Sequence, residues 1–145
     1  MTDSLRVAYR VWSAVVFLAV VVQFGAAGYG AFYAYHKADK TDALTHKQFD
    51  HGFSFHIGLG YLIFIGSLLL FLFALGARLG RKPVLRVLAL PVLVLLAIVL
   101  AVAGESVPAV GILHPIDAFL VLGLSGALAH RAWSKRGEAG PRGGG

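Results

Sequence analysis

FSFHIGLGYLIFIGSLLLFLFAL, residues 53–75, decides the fold class of this chain. The stretch contains no Asp, Glu, Lys or Arg, and its polar groups are isolated among aliphatic and aromatic side chains. A bilayer core about 30 Å thick is crossed by roughly 20 helical residues, because each residue rises about 1.5 Å. The stretch is therefore long enough and apolar enough to be a transmembrane helix.

Three further segments meet the same criterion: residues 11–35, 84–103 and 113–132. The connections between the four segments are short, at residues 36–52, 76–83 and 104–112, so consecutive helices are expected to run antiparallel. We predict an all-α, integral membrane four-helix bundle with up-down-up-down topology, forming a single domain over residues 1–136. The glycine-rich residues 137–145 are expected to be a disordered tail without chemistry.

The composition excludes several classes of protein. Of the 145 residues, 58% are hydrophobic and 14% are charged, and the mean hydropathy is +0.77, which is far from that of a soluble domain. The chain has no cysteine, so disulfides, thiolate metal sites and cysteine nucleophiles are excluded. The net charge is +6, but the basic residues lie in short clusters beside apolar runs, and nucleic-acid binding is not indicated.

The distribution of Lys and Arg predicts the orientation in the membrane. One side of the predicted bundle carries most of the basic residues, and the other carries three lysines together with acidic residues. The first group is Arg6, Arg10, Arg78, Arg81, Lys82, Arg86, Arg131, Lys135 and Arg136; the second is Lys37, Lys40, Lys47, Asp39, Asp42, Asp50 and Glu105. Because the basic side faces the cytoplasm, we expect both termini to be cytoplasmic and the chain to be a multi-pass protein of a bacterial inner (plasma) membrane.

Five of the six histidines fall at or near the outer face of this predicted bundle. His56 lies in the first turns of the second span, His114 begins the fourth, and Asp117 follows one turn later. Ionisable groups inside a membrane are costly unless they face the bundle interior or a partner, which makes these three candidates for function. Gly60 shares the helix face of His56 and predicts a slot beside the imidazole.

Two histidines at similar depth on different helices suggest the axial ligands of one b-type haem. We therefore predict that His56 and His114 bind the metal of haem b, that Gly60 contributes to the cofactor slot, and that Asp117 or a backbone carbonyl orients a ligand through its second ring nitrogen. No catalytic residue is assigned, and whether the chain is an enzyme is left open. The partners implied are the lipid bilayer and either a membrane redox partner or a second copy of the chain.

Two other functions compete with haem binding. In the first, His56 and His114 only form hydrogen bonds between helices, and the chain is a non-enzymatic membrane subunit or a partner-binding bundle without a cofactor. In the second, the chain is a small metal-ion or proton-coupled carrier, whose outer histidines and carboxylates hold a divalent transition metal. That second set comprises Asp50, His51, His56, Glu105 and His114.

Two stretches carry a resemblance to known families: residues 49–61, with HIGLGY at 56–61, and GILHPIDA at 111–118. Over nearly its whole length the chain resembles a family of small four-span bacterial membrane proteins of unknown function. It is more loosely similar to four-helix haem-binding bundles of the heme A synthase and b-type cytochrome kind, in which helix-end histidines ligate haem. That second resemblance implies haem at His56 and His114. The chain lacks the duplicated eight-span structure and the second matched histidine pair of heme A synthases.

Overall fold

The computed structural model describes residues 2–41 and 44–134, and all regular structure in these two ranges is helical. The elements are α1 (Thr2–Thr41), α2 (His46–Gly76), α3 (Arg81–Ser106), the single turn α4 (Pro108–Gly111) and α5 (Leu113–Ser134). The orienting charges assigned to Asp42, Lys135 and Arg136, and the predicted tail at 137–145, lie outside the described residues.

The helices extend well beyond the predicted spans, most of all between the first and the second. Much of the predicted polar connection at 36–52 is helical, since α1 continues to Thr41 and α2 begins at His46. A capping box starts α2: the Thr45 hydroxyl accepts from the Gln48 backbone N–H at 3.3 Å, and the Gln48 side chain accepts from the Thr45 N–H at 3.0 Å. Apolar length marks the part of a helix that lies in lipid, whereas caps mark where the helix ends.

The four long helices pack in a ring in which α1 and α3 each contact both α2 and α5. Near the start of α1, Trp12 donates its indole N–H to the carbonyl of Gly66 on α2 at 2.8 Å. Gln23, further along α1, contacts His56, which precedes Gly66 on α2. These contacts are those of antiparallel neighbours, and they align the two helices over most of their length.

The centre of the bundle is filled by aliphatic side chains and by small hydroxyl residues. Leu70, Leu90 and Val87 are fully buried there. Three buried serines lie beside them, and each donates its hydroxyl to the carbonyl three residues earlier in its own helix, which satisfies a polar group that lipid could not satisfy. These serines are Ser13, Ser67 and Ser125.

The outer surface of the bundle is apolar. Large side chains such as Leu62, at 64% exposure, and Phe119, at 65%, point away from the core. A soluble protein rarely leaves so much contiguous apolar surface in water. Within residues 2–41 and 44–134, four helical segments are long and apolar enough to span a membrane, namely Asp3–Lys40, His46–Gly76, Arg81–Ser106 and Pro108–Ser134, the last of which combines α4 with α5. The fold therefore fits a multi-pass membrane protein.

A candidate cofactor site between the helices

A cavity of about 340 Å³ lies between the long helices, in the half of the bundle that contains both candidate histidines. Its walls are mostly apolar and include several small side chains. Its lining includes Val20, Gln23, Phe24 and Ala27 from α1, His56, Gly60 and Ile63 from α2, Ala97, Ala101 and Glu105 from α3, and His114, Ala118 and Val121 from α5. The predicted residues His56, Gly60 and His114 thus share one cavity.

His56 is held against α1 by two reciprocal hydrogen bonds. Its Nδ1–H donates to the backbone carbonyl of Gln23 at 3.2 Å, and the Gln23 side-chain amide donates to the backbone carbonyl of His56 at 2.8 Å. A ring contact with Phe53 at a centroid distance of 6.1 Å and an interplanar angle of 85° further restricts the imidazole. The ring of His56 is therefore fixed in both position and orientation.

His114 is held in the same way by the neighbouring pair of helices. Its Nδ1–H donates to the backbone carbonyl of Ala97 on α3 at 2.8 Å. Pro115 follows it within the first turn of α5, where a missing N–H costs nothing, since first-turn amides have no partner within the helix. Each candidate histidine thus joins two helices through Nδ1.

The structure brings the two imidazoles together. The centroids of the His56 and His114 rings are 6.3 Å apart, and the ring planes are inclined by 77°. Because a carbonyl oxygen only accepts hydrogen bonds, both Nδ1 atoms act as donors, and neither Nε2 atom takes part in these two bonds. The site therefore presents two imidazoles held through Nδ1, each with Nε2 outside those bonds.

Gly60 lies where α2 passes closest to the side chain of Gln23. A Cβ atom at this position would lie 3.2 Å from the Gln23 amide nitrogen, the atom that donates to His56. The absence of a side chain leaves room both for this hydrogen bond and for the cavity. The sequence pattern predicted a slot beside the imidazole, and the structure places Gly60 in the cavity wall.

Asp117 lies in the bundle interior, at 4% exposure, but away from the cavity wall. Among the residues that the structure describes, neither of its carboxylate oxygens has a hydrogen-bond partner, and neither histidine Nδ1 bonds to it. Of the two orienting groups that the sequence suggested, a carboxylate or a backbone carbonyl, the structure thus shows the carbonyl for both histidines.

The residues considered for a divalent metal do not form a cluster. Glu105 lines the cavity with both histidines, whereas His51 contacts the ring of Tyr33 at 5.4 Å. Within residues 2–41 and 44–134, no group of three or more His, Cys, Asp or Glu side chains is close enough to hold a metal ion. This finding disfavours the carrier built on a multidentate metal site.

Gln23 is the contributor that sequence reasoning underrated. Its side chain joins two helices by a hydrogen bond from α1 to α2. Its backbone carbonyl also fixes the ring of His56, a role that leaves no trace in sequence because any residue has a carbonyl. A polar side chain in the middle of an apolar span was the available signal.

Comparison of the sequence with protein-family models, with curated proteins and with solved structures finds no match. The resemblances suggested by residues 49–61 and 111–118 therefore stay predictions. Inference about function has to come from the cavity and its two imidazoles.

Proposed function

We propose that this bundle binds one b-type haem, with His56 and His114 as the two axial ligands. The observation that carries the proposal is the pair of fixed imidazoles, 6.3 Å apart, on the wall of one apolar cavity. Paired neutral histidines inside a helical bundle are a recurrent way to hold haem iron.

The separation of the rings fits ligation of a single metal ion. An imidazole nitrogen lies about 2 Å from a first-row metal and about 1.1 Å from its own ring centre, so two rings that would hold one ion can have centres up to about 6.2 Å apart. The observed centroid distance of 6.3 Å agrees with this value. Because 6.3 Å at 77° is also the geometry of an edge-to-face ring contact, the absorption spectrum, and not the distance, distinguishes ligation from packing.

The hydrogen bonds also fit the chemistry of the donor set. A metal-ligating histidine usually donates its other ring N–H to a carbonyl or carboxylate, which fixes the tautomer and raises the basicity of the ligand atom. The carbonyls of Gln23 and Ala97 accept these bonds here. Among residues 2–41 and 44–134, two imidazoles meet here without a third ligating side chain. Two protein ligands suit a metal that already carries a macrocycle better than a bare ion that needs four.

The cavity itself supports a flat organic cofactor. Its volume of about 340 Å³ lies at the lower end of the roughly 300–1,000 Å³ typical of cofactor and small-molecule sites, so a haem would fill the cavity and extend through its opening between the helices. Small side chains leave space along its walls, and the rest of the lining is largely aliphatic or aromatic. The small residues are Gly60, Ala97, Ala101 and Ala118.

When bound, haem would supply one-electron transfer or a transferable haem group. The chain itself would hold the two axial nitrogens, orient them through the carbonyls of Gln23 and Ala97, and exclude solvent. We further propose that both termini face the cytoplasm of a bacterial plasma membrane, because Arg6, Arg10 and Arg78 lie at the end of the bundle opposite the haem cavity. The cavity then lies in the outer half of the membrane, where a membrane redox partner or a second copy of the chain could approach it.

The test is an absorption spectrum of the full-length protein purified from cells supplied with a haem precursor. We expect a Soret band with split visible bands on reduction, and we expect His56→Ala and His114→Ala each to lose the six-coordinate spectrum. The matched control is His51→Ala, because His51 is on the same helix as His56 but does not line the cavity. A wild-type protein without a Soret band, or a band that survives both cavity substitutions, would refute the proposal.

A bundle without a cofactor is the second candidate, because each histidine already joins two helices through its Nδ1. In that case His114→Ala should lower the free energy of unfolding by about 1 kcal/mol without a spectral change, as expected for one hydrogen bond between membrane helices. If the chain is instead a metal-ion or proton-coupled carrier, elemental analysis should find bound transition metal, or the protein should show transport in proteoliposomes. The spectrum and the metal content together separate the three functions.

A further inference from the structure

A second cavity, of about 460 Å³, lies at the opposite end of the bundle, where the N-terminal part of α1 meets the end of α5 and the turn between α2 and α3. Five of the residues that line it are arginines. They are Arg6, Arg10, Arg78, Arg86 and Arg131. They come from three stretches that are distant in sequence, so the fold brings them together.

These arginines are not neutralised within the part of the chain that the structure describes. Arg10 donates through Nε to the carbonyl of Ala132 at 3.1 Å and lies over the ring of Trp133 at 5.7 Å. The other four guanidinium groups have no hydrogen bond or ion pair with any described residue. Like charges gathered around one cavity repel one another, and an anion placed among them would remove that repulsion.

Membrane orientation alone does not explain this arrangement. The positive-inside rule requires Lys or Arg on the cytoplasmic side but places no demand on where the side chains point. Arg81 and Lys82, at the start of α3, satisfy the rule without lining the cavity, whereas all the cations that line it are arginines. Guanidinium binds phosphate oxygens through two parallel hydrogen bonds, which an ammonium group cannot do.

The backbone at this end supports the same interpretation. Arg78 has a φ of 51°, in the left-handed region that favours glycine, and its side chain lines the cavity. A glycine at this position would make the turn without strain but would remove one guanidinium group. The N-terminus of α3, whose peptide dipoles favour an anion, begins nearby at Arg81 and contributes Pro83 and Arg86 to the lining.

We propose that this arginine cavity is a binding site for a phosphate group. The phosphate is carried either by the headgroup of an anionic phospholipid or by a small soluble phosphate compound. Basic pockets between membrane helices on the cytoplasmic side are suited to lipid phosphates, and the volume of the cavity also accommodates a free anion. The site is independent of haem binding, because none of its lining residues belongs to the haem cavity.

The test uses the full-length protein in nanodiscs and has two arms. In the first, the nanodiscs contain phosphatidylcholine with or without phosphatidylglycerol, and the phosphatidylglycerol retained by the protein is counted by native mass spectrometry. In the second, inorganic phosphate and pyrophosphate are titrated by calorimetry into protein in pure phosphatidylcholine nanodiscs. Binding in the first arm alone identifies a lipid headgroup, and binding in the second identifies a soluble phosphate.

Arg78→Gln with Arg86→Gln should weaken binding in the responding arm by roughly tenfold or more, because charge-assisted hydrogen bonds are lost. The matched control is Arg81→Gln with Lys82→Gln, which removes the same charge from the same end of the bundle but not from the cavity; it should change binding by less than about twofold. Arg78→Lys with Arg86→Lys keeps the charge and should give an intermediate loss. Both glutamine positions are exposed, and circular dichroism verifies folding.

The proposal is overturned if the wild-type protein binds in neither arm. It is equally overturned if the cavity and control variants lose binding to the same extent, because the arginines would then act only as general surface charge. Should the double glutamine variant fail to fold, Arg131→Gln alone provides the same comparison from a different helix.

Discussion

Gly104→Ala tests how closely the end of α3 must approach α4. A Cβ atom at residue 104 would lie 2.7 Å from Cα of Gly111 and 3.2 Å from its backbone nitrogen. Both of these are backbone atoms, which cannot rotate away as a side chain can. Because α4 leads directly into α5, the shift needed to admit one methyl group would move the start of the helix that carries His114.

The size of the effect follows from the distances. Carbon atoms in contact lie about 3.5–4.0 Å apart, so the two segments would have to separate by about 1 Å. Overpacking of this kind costs about 1–3 kcal/mol. Replacing glycine by alanine in a helix contributes at most about 0.5–1 kcal/mol in the other direction. We therefore expect Gly104→Ala to lower the free energy of unfolding by about 1–2 kcal/mol.

The matched control is Gly123→Ala on α5, where an added Cβ meets nothing within 4 Å. Both substitutions change helix propensity in the same direction, so the difference between them mainly measures the clash. The assay is reversible unfolding in mixed micelles with increasing dodecyl sulfate, followed by tryptophan fluorescence. If Gly104→Ala is as stable as Gly123→Ala, the close approach of Gly104 and Gly111 is not a constraint on the fold, and the reasoning is wrong.

The same unfolding assay, followed by far-ultraviolet circular dichroism, checks two further predictions. Trp12→Phe removes the indole N–H that donates to the Gly66 carbonyl at 2.8 Å but keeps a ring against Phe73. The free energy of unfolding should therefore fall by about 1 kcal/mol. The control Trp133→Phe, at an exposed position, should change the free energy of unfolding much less. Asp117→Asn should raise stability by at most about 1 kcal/mol, because it removes an ionisable group from the bundle interior but leaves an amide buried there without a hydrogen-bond partner. A marked loss of stability in Asp117→Asn would contradict that account.

The number and approximate position of the helices could be predicted because lipid imposes a length and a polarity on each span. Residues 53–75 and 84–103 lie wholly inside observed helices. The ends could not be derived in this way, since helix caps, and not apolar length, set them. Thr45 and Gln48 form a capping box that the sequence displays, and it would have placed the start of α2 correctly. The single turn α4 depends on Pro108 and on the contact between two glycines, which no local pattern reveals.

Of the groups that form the candidate site, only the polar side chains could be predicted from the sequence. His56 and His114 stood out because an ionisable group in a span is rare, and antiparallel helices place their matching ends at one depth. The groups that hold their rings, the carbonyls of Gln23 and Ala97, were not predictable because a backbone carbonyl carries no sequence signal. The arginine cavity was hidden for another reason: counting charges on one side of a membrane does not show that Arg10 and Arg86 converge.

A layer of buried apolar side chains separates the two cavities. On α1, the last residue that lines the arginine cavity is Arg10, and the first that lines the haem cavity is Val20. These two residues are about 15 Å apart along the helix, at about 1.5 Å per residue. Between them lie Val16, Leu70 and Leu90, all buried. Sites separated by more than about 10 Å without shared partners usually behave independently. A substitution at the imidazoles should therefore change cofactor binding without changing anion binding, and a substitution at the arginines should do the reverse.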